Sequence, residues 1–191
     1  GPFIGFIMAA VAMRFVYPSI SMEGRAFWAV KASPVPATRL LQVKFILYLV
    51  PMMILGLLLC FISNRIFSVT NSYLFLISFL NVFMMSIVIT GLAIGLGTVF
   101  ARFDADNPLK ISGSFGGFVF MISCALYVMN LLALEAYPMF RMYFYRYYPI
   151  AGTGSRLLIV LSFALLIFCS VLWTIVPLIR ARDTIERYEP E

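Results

Sequence analysis

Apolar and polar positions alternate in long blocks. Five apolar runs can be marked: Pro2–Val16, Phe45–Ile62, Leu74–Phe100, Phe115–Leu134 and Leu157–Ile179. Crossing about 30 Å of hydrocarbon takes roughly 20 helical residues. The last four runs reach or nearly reach that length, and none contains Asp, Glu, Lys or Arg. Lipid offers the backbone no hydrogen bonds, so these runs are helices despite their many Val, Ile and Phe residues. The first run ends at Arg14 and Pro18 and is already apolar at Pro2. It has no basic region before it and no small-residue cleavage site, so it does not read as a signal peptide. It reads as a span cut short, and the sequence as a fragment of a longer protein. The prediction is all-α: a polytopic transmembrane helical bundle forming one domain over residues 1–191, with five spans visible and the first truncated.

Composition sharpens this. Of the 191 residues, 63% are hydrophobic and 12% charged, and the mean hydropathy is +1.01. Soluble domains carry about twice that share of charge. So few charges cannot cover a globule with a polar surface, which excludes a soluble enzyme, a disordered tail and a nucleic-acid-binding module. The absence of histidine removes Ser-His-Asp triads, HExxH zinc sites and histidine proton relays. Cys60, Cys124 and Cys169 lie far apart in apolar runs. They make no metal pattern and read as small buried hydrophobes. No metal, cofactor or catalytic residue is expected.

The net charge is +6, and its distribution sets an orientation. Arg14, Arg25, Lys31, Arg39, Lys44, Arg102, Lys110, Arg180, Arg182 and Arg187 fall on one side of the expected spans, against Arg65, Arg141, Arg146 and Arg156 on the other. Cytoplasmic loops collect Lys and Arg. The stretches 18–44, 101–114 and 180–191 are therefore expected inside, with a cytoplasmic C-terminus in the cell membrane. The stretch 135–155 is expected outside, as an interfacial loop rich in Tyr and Phe.

The stretch 18–44 predicts a short amphipathic helix lying under the membrane. Ser21 can cap it, Glu23 suits its positive end, and Pro34 and Pro36 stop it. Phe27 and Trp28 would be its membrane anchors. On residues alone this is an interfacial elbow as readily as a docking element.

Glu23-Gly24-Arg25, then Ser33-Pro34-Val35, then Lys44 at the mouth of a span resembles the permease subunits of type-2 ABC exporters. The run Phe100 to Pro108, followed by Gly113 to Gly117, resembles the same family's exporter membrane proteins. The resemblance covers about Arg14 to Tyr127. It implies a six-span unit of which the second to sixth spans are visible. It also implies a coupling helix (Glu23, Arg25, Phe27, Trp28, Lys31, Ser33, Pro34) that docks on a separate nucleotide-binding ATPase subunit. A second permease copy or half and the lipid bilayer would be the other partners, and nucleic acid would not. Many family members carry two acidic residues around the Arg, whereas this chain has Glu23 alone.

Three features remain. Asp104-x-Asp106, beside Arg102, Asn107 and Pro108, could hold a metal and a nucleotide-sugar phosphate, as in a membrane glycosyltransferase. With no third ligand or base near it, it reads as a cytoplasmic loop leading into a helix. In the third run, Ser78, Asn81, Met84, Val88, Gly91 and Gly95 share one helical face. Gly91-x-x-x-Gly95 is a close-packing pattern, so this face reads as helix packing, with Asn81 on a substrate path as the alternative. Glu135 reads as an interfacial acid. The sequence contains no G-x-x-x-x-G-K-[ST] pattern, so no phosphate-binding loop is expected. With no charge inside the last four spans, the reading is a permease subunit of an ATP-driven exporter, powered by another chain. A membrane enzyme using Asp104 and Asp106 and a non-transporting scaffold are the alternatives.

Overall fold

The computed structural model describes residues 2–26, 36–66, 72–101, 108–145 and 153–187. Six α-helices follow in order: α1 (Pro2–Phe15), α2 (Ala37–Ile66), α3 (Ser72–Val99), α4 (Pro108–Ser112), α5 (Phe115–Tyr145) and α6 (Thr153–Arg187). Between α1 and α2 lie two 3-10 segments, Tyr17–Ser19 and Ser21–Ala26. No strand occurs among the described residues. The fold is a helical bundle, as its apolar blocks predict.

Four helices are long and apolar enough to cross a membrane, over residues 38–66, 74–99, 115–140 and 157–187. A shorter apolar helix covers Phe3–Ser19.

α3 is the hub. It packs most extensively against α6 and α2, and also against α5 and α1. Half of its apolar window is buried, against 17% in α2 and α6. A helix that is apolar all round belongs inside a bundle, and α3 carries no charged residue. From Val88 to Gly95 every residue is buried. The single packed face expected from the sequence is therefore too narrow a description of this half of the helix. α2 and α6 keep exposed rows of Ile, Leu, Val and Phe, as lipid-facing helices do.

Hydroxyl side chains inside these helices satisfy themselves locally. Ser86 donates to the Val82 carbonyl at 2.8 Å, Thr98 to Ile94 at 2.7 Å and Thr174 to Ser170 at 2.9 Å. Bonding back one turn lets a polar residue sit at membrane depth without a partner helix.

Several boundaries differ from the sequence reading. α5 continues through Tyr145, so residues 135–145 of the expected outer loop are helix. α6 continues to Arg187 through most of the expected tail, and residues 108–112 of the expected inner loop form α4. Backbone hydrogen bonding continues past the point where hydropathy falls, because charged residues at the membrane edge do not end a helix.

Candidate functional site

Two groups of residues at opposite ends of the bundle combine polar chemistry with burial. The first lies where α1 ends. Instead of leaving the bundle at Pro18, the chain turns through 3-10 geometry, and Val16 to Ser21 are buried. Tyr17 packs on Phe120 of α5, with ring centroids 5.5 Å apart. Gly97 and Gly116 make the room: a Cβ on Gly97 would collide with the Tyr17 carbonyl oxygen, and one on Gly116 with the Tyr17 hydroxyl. Ser112 donates to the Met13 carbonyl at 2.8 Å, tying α4 to α1.

Lys44 of α2 closes this junction. Its ammonium donates to the Ser19 carbonyl at 2.9 Å and pairs with the Glu23 carboxylate. The Lys44 side chain is 12% exposed and that of Glu23 25%, so water screens this pair less than a surface bridge. The 17–23 segment is thus held to α2 by a charge-assisted contact.

The second group lies toward the other end. Asn81 of α3 and Glu135 of α5 are both buried, each 6% exposed. Asn81 Oδ1 and Glu135 Oε1 have no hydrogen-bond partner. Glu135 belongs to the helical stretch 115–140, which is long and apolar enough to cross a membrane, whereas the sequence reading ended that run at Leu134. The apolar run stops at Leu134 only because Glu135 interrupts it, and the helix does not stop there.

Between the two groups runs the seam of α3 with α6. An ideal Cβ on Gly91 would lie 2.8 Å from Thr174 Cγ2, and one on Gly95 2.5 Å from Pro177 Cβ. The Tyr127 hydroxyl lies 3.0 Å from Ser170 Oγ, joining α5 to α6.

The remaining site residues of the sequence reading divide as follows. The amphipathic helix expected between Ser21 and Pro34 is, in its described part, a 3-10 segment ending at Ala26. It begins from a buried Ser21 rather than an exposed cap. Arg25 lies in that segment, while Phe27, Trp28, Lys31, Ser33 and Pro34 lie outside the described residues, as do Arg102, Asp104, Asp106 and Asn107. Pro108 opens α4. Ser78, one turn before Asn81, donates to the Leu74 carbonyl at 2.9 Å. Cys60 and Cys124 are buried and unpaired. Among the described residues no group of three or more His, Cys, Asp or Glu could hold a metal ion. Sequence reasoning missed Tyr17 and the burial of Glu135. For Tyr17 the available signals were Gly97 and Gly116, which leave room for the Tyr-Pro turn.

A family profile described as "Putative ATP-binding cassette" matches residues 2–189. That description names a cassette and not a permease. It overturns the assignment of this chain as the type-2 exporter permease subunit served by a separate ATPase. The glycosyltransferase and scaffold alternatives gain no support from it. No curated protein and no solved structure matches the chain. Because the profile spans nearly the whole sequence, from α1 to beyond the end of α6, the chain belongs to this ATP-binding cassette family as an all-helical member.

Proposed function

We propose that this chain is the membrane-integral helical component of an ATP-binding cassette system. In this reading the described helices do not themselves hydrolyse ATP. The observation that carries the reading is the Lys44 junction. It ties the 3-10 segment to α2 beside α1, α3 and α5, so a displacement applied at that end reaches several helices together. A contact transmits a change only if it differs between two states, and a partly buried ion pair on a short turn can be made or broken as a unit.

The same end carries the exposed cations Arg14, Arg39, Lys110, Arg180, Arg182 and Arg187. By the charge rule for membrane proteins this end faces the cytoplasm. The absence of a G-x-x-x-x-G-K-[ST] pattern from the sequence favours a nucleotide site elsewhere.

The test uses the full chain in its own membrane. It should stay with the bilayer through an alkaline wash. After purification it should show no saturable binding of magnesium-ATP. In a variant lacking the three native cysteines, Arg39→Cys should be shielded from an impermeant thiol reagent in intact cells, and Ile66→Cys should be labelled. Saturable ATP binding by the chain alone, or release by the wash, refutes the proposal, and labelling of Arg39→Cys reverses the orientation.

A further inference from the structure

α1 and α5 run antiparallel and in close contact. An ideal Cβ on Gly5 would lie 2.9 Å from Val128 Cγ2, and one on Gly117 2.7 Å from Met13 Cε. Going from Gly5 to Met13 along α1 thus means going back from Val128 to Gly117 along α5. Met13 points at α5, and Gly117 faces α1. Each further residue turns a helix by about 100°. In two antiparallel right-handed helices, that turn carries Arg14 and Phe118 to the same side of the seam. Each continues an exposed strip. Phe3, Ile7 and Ala10 lead to Arg14 on α1, and Phe118 leads to Ile122 and Met129 on α5. Each strip rises about 16 Å, close to one leaflet of a hydrocarbon core about 30 Å thick.

The strips share a charged end. Arg14 is exposed and follows Met13, whose carbonyl accepts from Ser112 Oγ at 2.8 Å. Ser112 closes α4, in which Lys110 is also exposed. Gly117 lets this elbow fold against α5, since a Cβ there would collide with the Ser112 carbonyl oxygen. Two cations from separate segments are therefore fixed at one end of the apolar seam. Among the described residues neither of them forms an ion pair, whereas Lys44 and Arg182 hold Glu23 and Glu186.

An apolar strip one leaflet long that ends in two unpaired cations matches an amphiphile with an anionic head. We propose that the α1–α5 seam binds an anionic phospholipid. Its phosphate sits at Arg14 and Lys110, and an acyl chain lies along the strips of Phe3 and Phe118. A zwitterionic lipid fills the same strip, but its own ammonium offsets the charge that the cations attract. The inference rests on the membrane-integral reading above and adds to it the class of lipid held.

Native mass spectrometry on the full chain in an uncharged detergent, titrated with phosphatidylglycerol or phosphatidylcholine, tests this. Each cation near a membrane surface contributes about fivefold in affinity, so the first phosphatidylglycerol should bind about 25-fold tighter than the first phosphatidylcholine. Arg14→Gln with Lys110→Gln should remove that preference. Arg180→Gln with Arg187→Gln removes the same charge elsewhere and should leave it intact. Excess inorganic phosphate should not displace the lipid, because it lacks the acyl chain; displacement would make the site one for free phosphate and overturn the proposal. A preference lost equally in both double variants, or absent from a wild-type chain that stays in the membrane through an alkaline wash, overturns this inference and leaves the membrane-integral reading standing. A second measurement needs no variant. Phosphatidylglycerol carrying a diazirine in its acyl chain should cross-link the wild type mainly at the strips of Phe3 and Phe118, and adducts spread evenly over α2 and α6 would overturn the site.

Discussion

Gly95→Ala tests the central seam with the smallest possible perturbation. One methyl group is added, and its ideal position lies 2.5 Å from Pro177 Cβ, 2.8 Å from the Pro177 carbonyl carbon and 2.9 Å from its oxygen. All three are rigid atoms, two of them backbone, on the helix that α3 packs against most closely. No side-chain rotation relieves the overlap, so α6 must move. Overpacking of this kind costs about 3 kcal/mol, the upper part of its usual range. Alanine recovers about 1 kcal/mol of helix preference over glycine. The net loss is about 2 kcal/mol. Gly56→Ala is the matched control. Its methyl would lie 2.8 Å from Val82 Cγ1 and 3.1 Å from the thioether end of Met8. Methionine adapts readily, so that overlap costs about 1 kcal/mol and the helix preference offsets it. Because both glycines are helical, the difference between the variants isolates the packing term.

The buried thiols Cys60 and Cys124 provide the assay. A thiol-reactive fluorophore lights up as they become accessible on heating. Gly95→Ala should melt about 4–8 °C below Gly56→Ala, using the usual conversion for a chain of this size. Equal midpoints would refute the reasoning and remove the α3–α6 seam as a source of stability.

Two further predictions concern polar contacts. Lys44→Met should destabilise by about 2 kcal/mol, the scale of a hydrogen bond to a charged group. A double-mutant cycle with Glu23→Gln should return a coupling above about 0.5 kcal/mol, and additive losses in denaturant or thermal melts would dissolve the junction. Tyr127→Phe should cost about 1 kcal/mol, because Ser170 keeps its bond to the Leu166 carbonyl. Ser170→Ala should cost more, because it strands the buried Tyr127 hydroxyl, and the reverse order in thermal melts would show that Ser170 is not its partner.

The spans were legible because a membrane imposes one rule on every residue of a segment. A charge-free apolar block must be a helix, whatever its neighbours do. α2, α3 and the first half of α5 follow from that rule alone. The rule fails at Glu135, since a lone acid ends an apolar run on paper but does not end the helix, which continues to Tyr145. It also fails at Tyr17. Pro18 and the charges after it suggest an exit into water, yet the turn is buried because Gly97 and Gly116 leave space for it. Both misses have one cause. They depend on which residues of distant segments meet, and hydropathy carries no information about that. The Gly91–Gly95 spacing was readable as a close approach, but its partner, Pro177, was not.

The two polar groups differ in what they demand of the bundle. Lys44 and Glu23 lie at the end rich in exposed cations, where water can reach both once they separate, so that contact can open without stranding a charge. Asn81 and Glu135 are buried within the bundle, and each carries a side-chain oxygen with no hydrogen-bond partner. Between them, α3 from Val88 to Gly95 is buried on all sides, and close-packed interiors deform little. A motion that begins at Lys44 therefore has its freest response at that end. It reaches Asn81 through a rigid α3 only as a tilt or shift of the whole helix. α6 is the element that must accommodate such a shift, because Pro177 touches Gly95 with no space between. Pro177 also lacks the N–H that would otherwise bond one turn back, which makes this the point in α6 where bending breaks no backbone hydrogen bond.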